Sequence, residues 1–196
     1  MENIKVRLTF TEPILGTACN DPNIHEEFIA SKGPDAKSID EEIEAIGVDG
    51  VIEKGKTVFP RDEERRPILW DYQIKGFFKD SCGSLRKVPG SQSSKIKAYK
   101  KEIDGLIFPQ PRKIVIHFDG EIKDCQRPLR GQTAQGERVA LANSEEIPSG
   151  AWIEFEIIML TSYRKAVMEW LDYGRFRGIG QWRNSGKGRF VWEEIE

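Results

Sequence analysis

The chain predicts an α+β fold of the ferredoxin-like (RRM-like) type, with the core order βαββαβ, and three observations predict it. Ile4, Val6, Leu8 and Phe10 alternate with Lys5, Arg7 and Thr9, which is the period of a half-buried strand. Ala151 to Leu160 is the most apolar strand-like run, and it is followed by Val167, Trp170 and Leu171 at helical spacing. Stripped of insertions, the elements begin near Ile4, Gln73, Arg112, Ala151, Ser162 and Arg189, giving strand, helix, strand, strand, helix, strand. That order is the split βαβ pattern.

In chain order, Thr11-Glu12-Pro13 ends the first strand, and an acidic, partly helical insertion is expected over 17–56. Within it, Ile24, Phe28 and Ile29 mark a short helix from Pro22 to Lys32 that Gly33-Pro34 breaks. Ser38 with Glu41 three residues on reads as a capping box, with Ile39, Ile43 and Ile46 on the buried side of a second helix. Val51–Phe59 and Arg66–Trp70 read as a hairpin around the charged turn at Asp62–Arg65.

A helix from Gln73 to about Lys87 carries the stripe Ile74, Phe77, Phe78, Cys82 and Leu85, with Lys75, Lys79 and Arg86 off it. Pro89-Gly90-Ser91 ends it, and the basic run Lys95, Lys97, Lys100 and Lys101 reads as a solvated face. Leu106–Phe108 is a short apolar strand, and Arg112–Phe118 a stronger one that closes at Asp119-Gly120. From 120 to 147 the chain is too polar for a core, so a projecting hairpin or thumb-like loop is expected there. Thr161 or Ser162 caps the second helix, and Arg189–Ile195 is the last strand. One domain over 1–196 is expected at this length.

Composition excludes several classes. Acids and bases nearly balance, for a net charge of -2, so this is no wholly basic polyanion binder, although a local basic face remains open to it. Cys19, Cys82 and Cys125 are odd in number and widely spaced, which fits reduced thiols in a cytoplasmic protein rather than a disulfide framework. No Cys-x-x-Cys or His-x-His cluster points to a metal, and no cofactor is expected. Met1–Val6 shows no apolar signal region, and no run is long enough to span a bilayer, so a soluble chain without a membrane partner is expected.

The most informative run is Gly178-Ile-Gly180-Gln-Trp182-Arg183-Asn184-Ser-Gly186-Lys187-Gly188-Arg189. Two Gly-x-Gly pairs bracket a polar segment, and no acid interrupts it between Asp172 and Glu193. Glycine permits positive φ and close approach, and successive free N–H groups form anion-binding concavities. Arginine adds charge and a stacking face. Two readings follow from the residues alone: a loop shaped for a polyanion backbone, or a wide turn whose glycines only fold the chain back.

Four segments in register resemble one family. Gly178-Ile-Gly-x5-Gly-Lys-Gly-Arg-Phe is similar to the C-terminal glycine-rich signature of the RAMP superfamily, the CRISPR-associated RNA-binding proteins. Asp71-Tyr-Gln-Ile-Lys75-Gly76-Phe-Phe-Lys79 resembles the turn and Lys-Gly helix start after the first hairpin of those proteins. Ile147-Pro148-Ser-Gly150-Ala-Trp-Ile-Glu-Phe155 resembles their run leading into the central strand, and Arg127–Glu145 falls where the backbone-forming subunits carry a thumb hairpin. The resemblance extends from about Asp71 to Val191 and is greatest to the effector backbone-subunit branch. The long acidic first loop departs from the family, and a phage or mobile-element protein that borrowed the fold fits it as well.

The resemblance implies RNA as partner, single-stranded and largely sequence-independent, held in a ribonucleoprotein with CRISPR-type effector subunits or in a homo-oligomer. Candidate RNA contacts are Lys75, Lys79 and Arg86 on the helix, and Arg127, Arg130 and Gln132 on the hairpin. Gly178, Gly180, Trp182, Arg183, Asn184, Gly186, Lys187, Gly188 and Arg189 are the candidates in the loop. A second reading is an interaction protein that uses the fold to oligomerise, or to mimic and block a defence complex; the acidic insertion favours it. A third is a metal-independent ribonuclease, for which Asp21, His25 and His117 are the only weak catalytic candidates. The residues lean away from an enzyme because no base with an orienting partner stands out.

Overall fold

The N-terminal alternation becomes β1 (Glu2–Phe10), which buries Ile4, Val6, Leu8 and Phe10 and turns Lys5, Arg7 and Thr9 to the other face. The computed structural model describes residues 1–20, 55–133 and 136–196. After β1 come β2 (Ile14–Leu15), β3 (Ala18–Cys19), β4 (Thr57–Val58), β5 (Ile68–Trp70), α1 (Asp71–Leu85), α2 (Tyr99–Leu106), β6 (Ile107–Gln110) and β7 (Lys113–Val115). Then follow β8 (Lys123–Thr133), β9 (Gly136–Ile147), β10 (Trp152–Met159), α3 (Arg164–Tyr173) and β11 (Phe190–Ile195). The class is α+β. The helices expected at 22–32 and from Ser38 onwards lie outside the described residues. Among the described residues no helix is long and apolar enough to cross a membrane.

The chain divides into two compact units: Met1–Leu15 with Pro60–Glu121 and Ile147–Glu196, and Gly16–Phe59 with Ile122–Glu146. The first unit is built on a four-stranded sheet in the order β11-β1-β10-β6, with every neighbouring pair antiparallel. Its inner face carries the buried residues of β1 together with Ile153, Phe155, Ile157, Met159 and Phe190. Helices α1 and α3 cover that face. Phe77 of α1 meets Phe190 edge-on at 5.2 Å, and Phe78 meets Trp170 of α3 at 5.5 Å. The Trp170 indole N–H donates to Ser93 Oγ at 2.8 Å, so the largest buried side chain keeps its polar atom satisfied.

Two pairings differ from the sequence expectation. The edge strand of the main sheet is Ile107–Gln110, whereas Arg112–Phe118 looked stronger; the structure places Lys113–Val115 against Ile68–Trp70 in a separate two-stranded sheet. Pro109 has no N–H to give a ladder, which an edge strand tolerates, and Ile114, opposite Leu69, and Ile116 are both buried. Across the charged turn the described residues keep a short hairpin, made by Pro60–Asp62 rather than by the residues up to Phe59: the antiparallel bridge Arg61↔Pro67, Ile68 N–H donating to Pro60 C=O at 2.9 Å and Asp62 N–H to Arg66 C=O at 3.0 Å. Val51–Lys54 lies outside the described residues.

In the second unit the polar stretch forms the β8–β9 hairpin, in register from Lys123↔Glu146 to Thr133↔Gly136. β4 joins β9 in parallel through Thr57↔Ser144, and β3 joins β4.

The core rests on the aromatic cluster around Phe190, which also touches Phe10 at 6.2 Å. Phe190→Ala is expected to destabilise the fold by about 3–5 kcal/mol. A urea unfolding midpoint equal to that of the parent chain would contradict this account.

Candidate nucleic-acid interface

Helix α3 gives way to the loop at Gly174, where the Phe190 ring packs so closely that a Cβ would lie 2.2 Å from it. The loop then closes on itself. Ile179 N–H donates to Gly188 C=O at 2.9 Å, and Gly188 N–H donates to Pro13 C=O at 2.8 Å. Gly188 takes φ 69°, and a Cβ on it would sit 1.9 Å from Ile179 O. A Cβ on Gly178 would sit 2.5 Å from Lys187 O. These two glycines are needed for backbone to approach backbone, so that part of the loop is the turn and not a cradle. Trp182 enters the 3-10 turn Arg183–Ser185 at φ 55° and is 38% exposed.

The arginines fall into two groups. Arg177 and Arg183 converge on Asp80 of α1. Arg177 Nε donates to Asp80 Oδ2 at 2.6 Å and Arg183 Nη1 to the same oxygen at 3.1 Å. Arg177 Nη1 also donates to Asn184 Oδ1 at 2.5 Å. The Asp80 hydrogen bond raises the Arg177 pKa, against the opposing effect of desolvation. Arg189 is different. Its guanidinium lies beside Gly186, its Nε is buried with no hydrogen-bond partner, and no ion pair among the described residues includes it. Arg175 is exposed, and the neighbouring Phe176 is 70% exposed, its ring 6.3 Å from that of Tyr173.

The helix cations point elsewhere. Lys75 Nζ donates to Asp104 C=O at 3.1 Å and sits over the Phe108 ring, Lys79 pairs with Asp104, and Arg86 lies 5.2 Å from the Tyr99 ring. All three are engaged by α2 or the strand after it. Gly180 packs against Leu15 O, and Lys187 is half-buried in the loop.

On the hairpin, Arg127 is 4% exposed and donates to Ser144 Oγ at 3.1 Å, so it is held inside the second unit. Arg130 and Gln132 take their places in β8 opposite Val139 and Glu137; their side chains are not among those described. Of the catalytic candidates, Asp21 and His25 lie outside the described residues. His117 stacks on Trp152 at 4.0 Å, and no side chain among the described residues hydrogen-bonds its ring. No group of three metal-ligating side chains occurs among the described residues.

Sequence reasoning missed Asp80, because nothing in its helix spacing announces a partner so distant along the chain. It also missed Phe176, although an aromatic between Arg175 and Arg177 is a local signal for stacking.

No protein-family model and no curated protein matches the chain. Among solved structures it is similar to a chain of the cryo-EM structure of the type III-B Cmr-beta bound to cognate target RNA, with a TM-score of 0.55 and 11% sequence identity. The match covers 99% of this chain and 58% of that one, so this chain spans little more than half its length. At that identity the likeness is one of fold.

The loop geometry sets a direct test. Gly188→Ala is expected to cost more than about 2 kcal/mol, through strain at positive φ and the clash with Ile179 O. Gly76→Ala, at an exposed helical site with nothing within 4 Å, is expected to be neutral or to stabilise by up to about 1 kcal/mol. Equal melting shifts for the two variants would sink the assignment of the loop glycines to backbone packing.

Proposed function

We propose that this chain is an RNA-binding protein of the RAMP type that grips the RNA backbone through the C-terminal loop, as a subunit of a ribonucleoprotein or oligomeric assembly. The observation that carries the reading is Arg189: a loop guanidinium beside Gly186 that no ion pair among the described residues includes, on a C-terminal segment that also exposes Arg175 and Phe176. A cation without an ion pair in a loop is what a phosphate satisfies, and an exposed aromatic on the same segment offers a base a stacking face. The sheet order β11-β1-β10-β6, with α1 and α3 on one face, supports the ferredoxin-like βαββαβ reading. The likeness to a chain in an RNA-bound type III-B assembly supports RNA and effector partners.

The geometry favours binding over cleavage, since His117 has an aromatic neighbour and no orienting acid. A second reading, a protein-interaction role, draws support from the outward sheet residues Glu154, Glu156 and Glu193, which are acidic and suit a basic partner better than a phosphate chain.

Phosphate contacts dominate affinity and carry little sequence information. Fluorescence anisotropy with oligouridine and with a mixed-sequence single strand, titrated across salt, is expected to show similar affinities that fall steeply as salt rises. Arg189→Ala is expected to weaken both alike and to reduce the salt slope by about 0.7. Affinity indifferent to salt, or no binding at all, would overturn the RNA reading. A tight oligomer free of nucleic acid on size-exclusion would then favour the second.

A further inference from the structure

We propose that the outer face of the four-stranded sheet carries a nucleobase-stacking subsite built on His117 and Trp152. It deepens the RNA-binding reading and rests on it. The register places the parts. Thr9 lies opposite both Trp152 on β10 and Val191 on β11, and His117 bridges to Trp152 from the other side. His117, Trp152, Thr9 and Val191 therefore form one row across the sheet, on the face turned away from α1 and α3. The row begins two residues beyond Arg189, and three strand spacings carry it about 15 Å from the loop's exit.

The row is a ready platform. The His117 and Trp152 rings are parallel within 11°, with centroids 4.0 Å apart. The Arg7 guanidinium lies 4.9 Å from the centre of the same indole. Trp152 is thus backed by two partners, and the exposed His117 ring is the outermost plane of the stack. It opens on a cleft of about 400 Å³ lined in part by Pro67, Ile116, Asp119 and Gly150. That is small-ligand size, and the lining mixes apolar walls with a few polar groups, as base sites do.

Charge selects which part of a nucleotide enters. Arg66 lines the cleft but is held by Asp62 and Glu64, and Asp119 disfavours a phosphate. The flat, uncharged base is the part that fits. Arg7 is likewise held by Glu154 at 2.9 Å, so it orders the indole and does not reach for phosphate. Single-stranded RNA is read by stacking unstacked bases on aromatic and histidine planes.

The test uses the intact chain with two probes: an oligoribonucleotide and an abasic ribose-phosphate strand of the same length. His117→Ala is expected to weaken the oligoribonucleotide roughly five- to a hundredfold, the span of one lost stack. Binding of the abasic strand and the salt slope are expected to stay put. His117→Phe, which keeps a plane and discards the imidazole nitrogens, is expected to retain most of the affinity. Wild-type RNA binding undiminished by His117→Ala would overturn the subsite alone, as would equal losses on both strands. Failure of the wild-type chain to bind either strand would overturn the RNA reading beneath it.

Discussion

Two backbone hydrogen bonds, from Ile179 N–H to Gly188 C=O and from Gly188 N–H to Pro13 C=O, fix the C-terminal third of the first unit. They require glycine where the strands of the loop touch, because any Cβ there would overlap a carbonyl. Once they form, Phe190 falls into its place against Gly174, Phe10 and Phe77, and β11 is aligned to pair with β1. Glycine at 178 and 188 is therefore spent within the chain. What the loop offers outward is side chains, so its chemistry toward an anion is that of guanidinium groups more than of an amide cradle.

Asp80 divides those guanidinium groups. It holds Arg177 and Arg183 at hydrogen-bond distance, which orders both and partly neutralises them. Each partner is about a quarter to a third exposed, and ion pairs in such settings contribute about 0–1 kcal/mol. A phosphate competes with such a contact readily. Arg189 faces no such competition, so on the proposed RNA reading it would be the stronger anchor and Arg177 and Arg183 the adjustable ones.

The fold was legible in the sequence where burial enforces a clear period. β1 and β10 alternate because one face is sealed by helices, and the apolar stripes of α1 and α3 match their buried residues, save that Leu85 is half-buried and Ser81 is buried in α1. Pairing was less legible. Ile107–Gln110 and Lys113–Val115 are both short and apolar, and only tertiary context decides which joins the main sheet. The site was legible as a loop but not as a geometry. Whether a glycine admits a ligand or a neighbouring carbonyl depends on Pro13, far away in the chain. The basic residues of α1 looked available in sequence because α2, which engages Lys75 and Lys79 through Asp104, reads there as a solvated charge run, helical at most, with few apolar anchors.

Charge on the outer face of the main sheet is segregated by row. Along the outer face of the sheet, the row nearest the glycine-rich loop holds Val191, Thr9, Trp152 and His117 and no acid. The following rows hold Glu193 and Glu154 around Arg7, then Glu156 opposite Lys5. For a polyanion meeting this face, the acid-free row would be the more favourable end. On the proposed RNA reading, a strand anchored at Arg189 would be guided across the short dimension of the sheet, toward His117, and not down the strands. The acidic rows and the aromatic row would then act together: the first would confine the strand, and the second would give its bases somewhere to stack.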